Sequence, residues 1–230
     1  DGKPVGTVQD GRIVLQEVYR FENGVRRKDG HLCWDVETLL KEIHTAIQKS
    51  GTFDSLGFDT WGVDFGLLDA DGHLLANPVH YRDARTNGKP EQAAACMPAE
   101  ELYAHTGNQI MAINTLFQLL ALQEQEPELL QKAEQILFMP DLFAALLGAE
   151  PVCERSIAST SQMLDPRTGQ WSREVLTAYG LKENHFAPLV ASGTVTGTLT
   201  TGAKIIAVAG HDTQCASAAM PCAEEDAEHT

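Results

Sequence analysis

The most constraining stretch of the sequence is a short apolar run near its end that stops at a glycine and two polar residues. Residues 203–209 read AKIIAVA, which is typical of a buried strand, and residues 213–220 have the small side chains of a closely packed helix. Gly210, His211 and Asp212 stand between them. A strand, a tight glycine turn and a helix in this order predict an α/β fold, which collects reactive groups at the carboxyl ends of buried strands.

His211 and Asp212 each have a structural interpretation beside the functional one. An aspartate at the start of a helix is commonly an N-cap, and a histidine next to a buried strand is commonly a core residue with satisfied hydrogen bonds. The pattern alone leaves both interpretations open.

The first fifty residues predict a strand and a helix. Residues 12–21 are rich in β-branched and aromatic side chains, and the Asp10-Gly11 pair before them is a hairpin-turn signal. A strand is expected before residue 10, and the sequence predicts that it is stubby or absent. Asp35 has the type and the place of an N-cap for a helix over Val36–Lys49, whose apolar residues share one face.

The middle of the chain predicts a strand followed by mainly helical sequence. Residues 55–68 have strand character and continue through a DxDG turn into a second strand over residues 73–79, as in a hairpin. A turn is expected at residues 165–169, and Gly180 is expected to end a helix. The predicted helices cover residues 99–105, 115–124, 127–133, 141–147 and 172–179.

Residues 59–66, DTWGVDFG, form a second group that could carry function. The indole of Trp61 could stack on the C–H surface of a polyol, Gly62 leaves room for hydrogen bonds to hydroxyl groups, and the carboxylate of Asp64 accepts them. The alternative is a twisted strand whose tryptophan packs in the core. Residue types and spacing weigh the two interpretations evenly.

Residues 81–88, YRDARTNG, follow a predicted strand as a dense polar run, which is typical of a solvated loop or of a binding loop.

Several catalytic motifs are missing from the sequence. It has no GxxxxGK[ST] phosphate loop and no GxGxxG after a strand, and neither GxSxG nor HExxH occurs. These motif-defined nucleotide, esterase and zinc-protease sites are therefore unsupported.

The charge balance excludes further classes of partner. The chain has 17 Lys and Arg against 32 Asp and Glu, a net charge of −15, and no polybasic segment, which argues against binding nucleic acid or an anionic membrane surface. Five widely spaced cysteines favour reduced thiols in the cytoplasm over a disulfide framework. Zinc ligation by Cys215, Cys222, His211 and His229 fits no standard spacing, so no metal site is predicted.

Taken in order along the chain, these segments resemble the FGGY family of carbohydrate kinases. The resemblance rests on YRFENG, WDV, DTWGVDF, YRDARTNG, NTLFQL, LFMPD and AVAGHDT, at residues 19–24, 34–36, 59–65, 81–88, 114–119, 137–141 and 207–213. Two of these motifs, DTWGVDF and YRDARTNG, separate the L-rhamnulose kinases of the family from those for xylulose, glycerol and gluconate.

The resemblance implies an actin-like, ribonuclease-H-like fold with a mixed β-sheet flanked by helices, as the N-terminal half of a two-domain sugar kinase. It implies ATP with Mg²⁺ as the phosphoryl donor and L-rhamnulose 1-phosphate as the product. Asp212 matches the catalytic base, and substrate contacts are implied for Gly62, His211 and Thr213, and on weaker grounds for Asp64 and Tyr81. Asp83 and Arg85 are expected to hold their loop in shape.

The sequence departs from the family in three places, which predict a sugar-binding domain over residues 1–222 and a polar, frayed tail over residues 223–230. The family's first strand, which carries a phosphate loop, is not found, nor is the second domain. A loop is expected to be missing between Thr200 and Thr201. Because the nucleotide-holding parts would lie elsewhere, this chain alone is expected to have weak activity or none.

Three alternatives remain. The substrate could be a related ketose, L-fuculose or D-xylulose. The chain could be a non-catalytic actin-like interaction module, which would not need the carboxylate of Asp212. A glycosidase would need Asp59 and Asp64 as its carboxylate pair, and the expected strand would point these two side chains to opposite faces.

Overall fold

A computed structural model describes residues 2–221, and it forms a mixed α/β arrangement of short strands and helices. The strands are β1 Gly2–Gln9, β2 Arg12–Arg20, β3 Val25–Lys28, β4 His31–Trp34, β5 Ser55–Leu56, β6 Phe65–Leu68, β7 Gln135–Phe138, β8 Cys153–Glu154, β9 Leu164–Asp165, β10 Gln170–Trp171, β11 Leu189–Val190, β12 Thr194–Thr198 and β13 Lys204–Ala207. The helices are α1 Val36–Lys49, α2 Lys89–Ala93, α3 Ala99–Thr106, α4 Thr115–Gln125, α5 Pro127–Lys132, α6 Met139–Leu146, α7 Arg155–Ala158, α8 Arg173–Ala178 and α9 Asp212–Ala218. The predicted tail, Cys222 and His229 lie outside the described residues.

The first hairpin corrects the prediction of a stubby or absent first strand. β1 is eight residues long and pairs antiparallel with β2 from Gly2 to the predicted turn at Asp10-Gly11. Both turn residues have positive φ, 51° and 72°, which matches a two-residue hairpin turn. The register shifts between Lys3 and Pro4, and this irregularity accommodates a proline inside a strand.

The predicted helix over Val36–Lys49 is confirmed together with its cap. A carboxylate oxygen of Asp35 accepts the backbone N–H of Thr38 at 3.1 Å, and the other accepts the Thr38 hydroxyl at 2.9 Å. Val36, Leu39 and Ile43 are buried on one face of α1, as their spacing predicts. The other predicted helices are also present, with ends that shift by one or two residues.

The predicted strand over residues 55–68 is broken in the structure. β5 ends at Leu56, a single bridge joins Thr60 to His211, and the chain turns sharply before β6 begins at Phe65. The second strand expected over residues 73–79 is also wrong, because Leu74 and Val79 form isolated bridges and β6 pairs with β7 instead. Pro78 has no N–H to give to a ladder there.

The mixed sheet predicted for this fold class is present as β12, β13 and β5. β13 pairs antiparallel with β12 and parallel with β5. Thr200 and Thr201, where a missing loop was expected, lie in the tight turn that joins β12 to β13. The parallel pairing places the end of β13 next to the segment that follows β5, and this brings the two candidate motifs together.

The main core lies around α4, β6, β7 and α6. Side chains with no exposed surface come from each of the two central helices and from β7, among them Leu116, Phe117, Leu119, Leu137, Phe138 and Leu142. Such burial contributes roughly 1.5–3 kcal/mol for each large apolar side chain.

Among residues 2–221, no helix combines the length and the apolar composition needed to cross a membrane.

Gly197 lies where β12 packs closely against the backbone of the loop after α6. A Cβ atom at this position would stand 2.9 Å from the Ala149 Cα and 3.2 Å from its Cβ. We expect Gly197→Ala to lower the free energy of unfolding by about 1–3 kcal/mol, because backbone atoms cannot move aside as a flexible side chain can. Chemical denaturation measures this loss. The control is Gly24→Ala, where a Cβ meets nothing within 4 Å, and equal stabilities of the two variants would contradict the prediction.

Candidate functional site

A cavity of about 480 Å³ brings most of the predicted site residues together. This volume lies in the range of small-molecule sites. Gly62, Tyr81, His211 and Asp212 all line it, although they come from three separate parts of the chain. The rest of the lining consists of Trp61, Val63, Arg82, Asn108, Gln109, Met111, Ile113, Asn114 and Thr160.

Backbone pairing holds the two principal motifs side by side. The Thr60 N–H donates to the Gly210 carbonyl at 2.9 Å, and the Asp212 N–H donates to the Thr60 carbonyl at 2.9 Å. These two bonds are the parallel bridge between Thr60 and His211. They place Trp61 and Gly62 next to the residues that follow β13, so the fold itself assembles the cavity from segments far apart in sequence.

The turn after Gly62 has a backbone conformation that is rare for its residue type. Val63 has φ +68°, and the Asp64 N–H donates to the Gly62 carbonyl at 2.9 Å, which closes a three-residue γ-turn. A β-branched residue with positive φ is strained, and such strain concentrates at functional sites. The Thr160 hydroxyl accepts the Val63 N–H at 3.0 Å, and the Thr115 hydroxyl donates to the Val63 carbonyl at 2.7 Å, so both sides of the turn are held.

Four aromatic rings pack in a row along one wall of the cavity, with the first pair tilted and the other two pairs stacked. The ring centroids of Trp61 and Trp34 are 4.1 Å apart, those of Trp34 and His80 4.5 Å, and those of His80 and Tyr81 4.4 Å. The two end rings, Trp61 and Tyr81, line the cavity, whereas Trp34 is buried. Trp61 packs against the core, as one interpretation predicts, and it also lines the cavity; stacking of its indole on a polyol stays a prediction.

Asp64 lies beneath this wall and not in the cavity lining. The residue is 1% exposed, and its Oδ2 accepts from the Trp34 indole at 2.6 Å and from the Trp61 indole at 3.0 Å. The Tyr81 N–H donates to the same oxygen at 3.3 Å, and the Gln118 amide donates to Oδ1 at 3.0 Å. Burial raises the pKa of Asp64 to about 6 although these hydrogen bonds lower it, so the group is ionised at neutral pH.

The remaining predicted residues have different surroundings. Thr213 is exposed and does not line the cavity, and its hydroxyl donates to Asp212 Oδ1 at 3.2 Å. Asp83 holds its loop as expected, because it accepts from the Leu32 N–H at 2.8 Å and from the Arg85 N–H at 2.9 Å. Asp59 is exposed whereas Asp64 is buried, which does not suit the carboxylate pair of a glycosidase.

Asp212 has the exposure that a reacting group needs. Its side chain is 58% exposed, and the nearest carboxylate oxygen is 3.6 Å from His211 Nε2. Asp212 also lines a second cavity, of about 620 Å³, between the β1 strand and the segment around β5. The carboxylate therefore stands where two neighbouring cavities meet, with its oxygens accessible to a ligand.

The far wall of the cavity is formed by the segment over residues 108–113, which no sequence motif covers, together with Asn114 from NTLFQL. Gln162 ties this segment down, since its amide donates to the Asn108 carbonyl at 3.2 Å and its Oε1 accepts from the Asn114 amide at 2.5 Å. Arg82 and Thr160 also line the cavity without having been singled out. The polar loop at residues 81–88 was the available signal for Arg82, whereas nothing in the spacing of residues 108–113 indicates a binding wall.

The structure also places three metal-capable side chains near one another in an exposed turn. Ligand atoms of Asp69, Asp71 and His73 lie within 4.8 Å of each other. Asp69 Oδ1 accepts the backbone N–H groups of Asp71 at 3.0 Å and of His73 at 2.8 Å, so the turn itself explains why this carboxylate faces inward.

Residues 7–218 match the N-terminal domain of the FGGY family of carbohydrate kinases. The chain is 38% identical to a rhamnulokinase from Bacteroides thetaiotaomicron in an alignment of 235 positions that covers 96% of this chain and 48% of the relative. It is 37% identical to a rhamnulokinase from Enterococcus faecalis over 230 residues, with 94% of this chain and 46% of the relative covered. The chain thus spans about half the length of the curated relatives it matches.

Solved structures confirm the predicted fold class. A carbohydrate kinase from Novosphingobium aromaticivorans superposes with a TM-score of 0.76 at 21% identity, over 90% of this chain and 46% of that one. A xyloylose kinase from Brucella ovis gives a TM-score of 0.74 at 21% identity, over 91% of this chain and 46% of that one. The arrangement of strands and helices is therefore the actin-like fold of sugar kinases.

Asp64 gives a direct test of how the aromatic wall is held. Asp64→Asn places an amide N–H₂ group among hydrogen-bond donors, so we expect a loss of about 1–3 kcal/mol in the free energy of unfolding. Trp34 and Trp61 report the change through tryptophan fluorescence, which we expect to shift toward longer wavelength as water reaches the indoles. The matched control is the exposed Asp71→Asn. If Asp64→Asn has the same stability and the same tryptophan emission wavelength as this control, Asp64 does not hold the aromatic wall.

Proposed function

The chain belongs to the FGGY family of carbohydrate kinases, and we propose that it is the sugar-binding part of a kinase that phosphorylates L-rhamnulose at its 1-hydroxyl group. The observation that carries the proposal is the position of Asp212 at the rim of the 480 Å³ cavity, beside Gly62 and His211. A solvent-accessible carboxylate beside a cavity of sugar-binding size is what the acceptor side of phosphoryl transfer requires.

Asp212 acts as the general base in this proposal. It accepts the proton of the sugar hydroxyl as that oxygen attacks the γ-phosphoryl group of ATP. Phosphoryl transfer depends mostly on positioning and on charge stabilisation. A carboxylate within hydrogen-bond reach of the sugar hydroxyl is therefore sufficient to accept its proton. His211 precedes the base and lines the same cavity, where it can hold a neighbouring hydroxyl group.

The walls of the cavity suit a ketose. The rings of Trp61 and Tyr81 offer faces for the C–H side of the sugar, while Arg82 and Asn114 offer hydrogen-bond donors. Gly62 faces the cavity where a side chain would crowd Thr160, since a Cβ would stand 3.0 Å from the Thr160 Cγ2. Asp64 contributes by holding Trp61 and Tyr81, and the exposed Thr213 hydroxyl is placed to contact a bound sugar or to orient Asp212.

Among the ketoses we propose L-rhamnulose as the substrate, because the curated relatives that match nearly the whole chain are named rhamnulokinase. ATP with Mg²⁺ is the donor common to this family. We infer that residues 1–222 form the sugar-binding domain and that other parts of the full-length protein hold most of the nucleotide.

Cys33, Cys96, Cys153 and Cys215 are free thiols, which supports a reducing, cytoplasmic location.

Substrate choice is tested by calorimetric titration of the full-length gene product with L-rhamnulose, L-fuculose and D-xylulose in the absence of nucleotide. We expect L-rhamnulose to bind about tenfold more tightly or better, because a misplaced hydroxyl leaves a buried polar group of the site unpaired. Tighter binding of another ketose would replace the substrate in this proposal. An absence of binding by all three sugars would favour the non-catalytic module.

The role of Asp212 is tested by Asp212→Asn, which keeps the shape of the side chain and removes the proton acceptor. We expect kcat for L-rhamnulose phosphorylation to fall by about 10²–10⁴ while the sugar Kd changes little. A coupled ADP-release assay and calorimetry measure the two quantities. The control is Asp71→Asn, an exposed aspartate that lines neither the 480 Å³ nor the 620 Å³ cavity and should keep full activity. An unchanged kcat in the Asp212 variant would remove the residue from the mechanism.

A further inference from the structure

Glu154 is a buried carboxylate for which the proposed mechanism has no use. The residue is 2% exposed, yet its two oxygens accept hydrogen bonds from three separate segments. Oε2 accepts the backbone N–H groups of Ser156 at 2.9 Å and Ile157 at 3.1 Å, which caps α7. The same oxygen accepts the Gly210 N–H at 3.1 Å, and Oε1 accepts the Ser192 hydroxyl at 2.6 Å.

The bond to Gly210 reaches the segment that carries the base. Gly210 immediately precedes His211 and Asp212, and its N–H points away from the cavity toward Glu154, whereas its carbonyl accepts from Thr60. A Cβ at Gly210 would stand 2.9 Å from Pro140 and 3.2 Å from Ile157, so the segment is packed closely against α6 and α7. The Glu154 bond holds the peptide plane between Ala209 and Gly210, whose carbonyl also accepts the Cys215 thiol at 2.8 Å, and the Thr60 bond holds the next plane, before His211.

The other end of the Glu154 network reaches the neighbouring turn that carries Gly62. Glu154 caps α7, and the Ile157 carbonyl of that helix accepts the Thr160 hydroxyl at 2.7 Å. Thr160 in turn accepts the N–H of the strained Val63 and lines the cavity next to Gly62. One buried side chain therefore connects the base-bearing segment with the turn that carries Gly62.

The charge state of Glu154 supports this role. Burial alone would raise its pKa, but the hydrogen bonds from Ser156, Ser192 and Gly210 outweigh burial and leave the pKa below its ordinary value. The neighbouring Asp141, whose Oδ2 accepts the Glu154 N–H at 3.1 Å, has a pKa that burial raises to about 8. At neutral pH the pair thus keeps its charge on Glu154, which strengthens the bonds that Glu154 accepts.

A helix cap alone does not need a glutamate. Serine, threonine, asparagine and aspartate are the usual caps, and their short side chains reach the first backbone N–H groups of a helix. The extra methylene of Glu154 lets one carboxylate oxygen reach the first turn of α7 and the Gly210 N–H together. We propose that Glu154 is a positioning residue for the phosphoryl transfer, which orients Gly210 so that His211 and Asp212 face the cavity. This inference rests on the proposed function.

The test uses Glu154→Asp in the full-length gene product, assayed well below the melting temperature of each variant. Aspartate still caps α7 but falls one methylene short of Gly210. We expect kcat per folded molecule to fall by about 10–100-fold, because a displacement of about 1 Å at the base is sufficient for such a loss. The KM for L-rhamnulose should rise by less than this factor.

Two further variants separate positioning from stability. Ser156→Ala removes a hydroxyl bond on the helix side of Glu154 and leaves Gly210 bound, so we expect lower stability with an unchanged kcat. Glu154→Gln keeps the length and one acceptor oxygen but loses the charge, and its kcat should lie between wild type and Glu154→Asp. If Glu154→Asp does not fold, a kcat for Glu154→Gln that equals that of Ser156→Ala overturns the proposal.

A readout that does not depend on activity distinguishes this inference from the proposed function. Hydrogen exchange should show faster exchange over residues 210–213 in Glu154→Asp than in Ser156→Ala. Unchanged protection of these residues in Glu154→Asp overturns the positioning role, as does a full kcat. A wild-type protein that does not phosphorylate L-rhamnulose defeats the proposed function instead, and the exchange result then shows whether Glu154 orients the segment.

Discussion

The buried carboxylate of Asp64 is the interaction on which the rest of the site depends. Its donors come from β4, from the γ-turn, from the polar loop and from α4, through Trp34, Trp61, Tyr81 and Gln118. A buried carboxylate without such donors would cost several kcal/mol, so all four segments must approach one point when the chain folds. Two of the side chains in these segments then present their rings to the cavity.

The three acids around the cavity differ in what their oxygens contact. Asp64 and Glu154 are buried and direct every oxygen at protein donors, which makes them parts of the scaffold on two sides of the cavity. Asp212 is exposed, with one oxygen near His211 and the Thr213 hydroxyl and the rest of the carboxylate accessible. The two buried acids thus hold the segments around the cavity, while the third acid is left accessible to a ligand.

Sequence reasoning failed where burial or distant pairing decided the outcome. The composition of the motif around Asp64 cannot show that the indoles of Trp34 and Trp61 both donate to its carboxylate and bury it. β1 was underestimated because its glycines and proline are poor strand formers, and pairing with β2 over its whole length overrides that preference. The wall at residues 108–113 escaped notice because Gln162, about fifty residues later, shapes it.

The sequence by itself determined the local elements and placed an aspartate, Asp212, directly after the turn that ends β13. The cap and helix after Asp35, the hairpin turn at Asp10-Gly11 and the strand, turn and helix around Asp212 follow from short-range preferences that neighbouring residues satisfy. Only the tertiary structure decided which side chains face the cavity. The reason is physical, since exposure depends on what packs against a residue, and the pairing of Thr60 with Gly210 and Asp212 joins segments 150 positions apart.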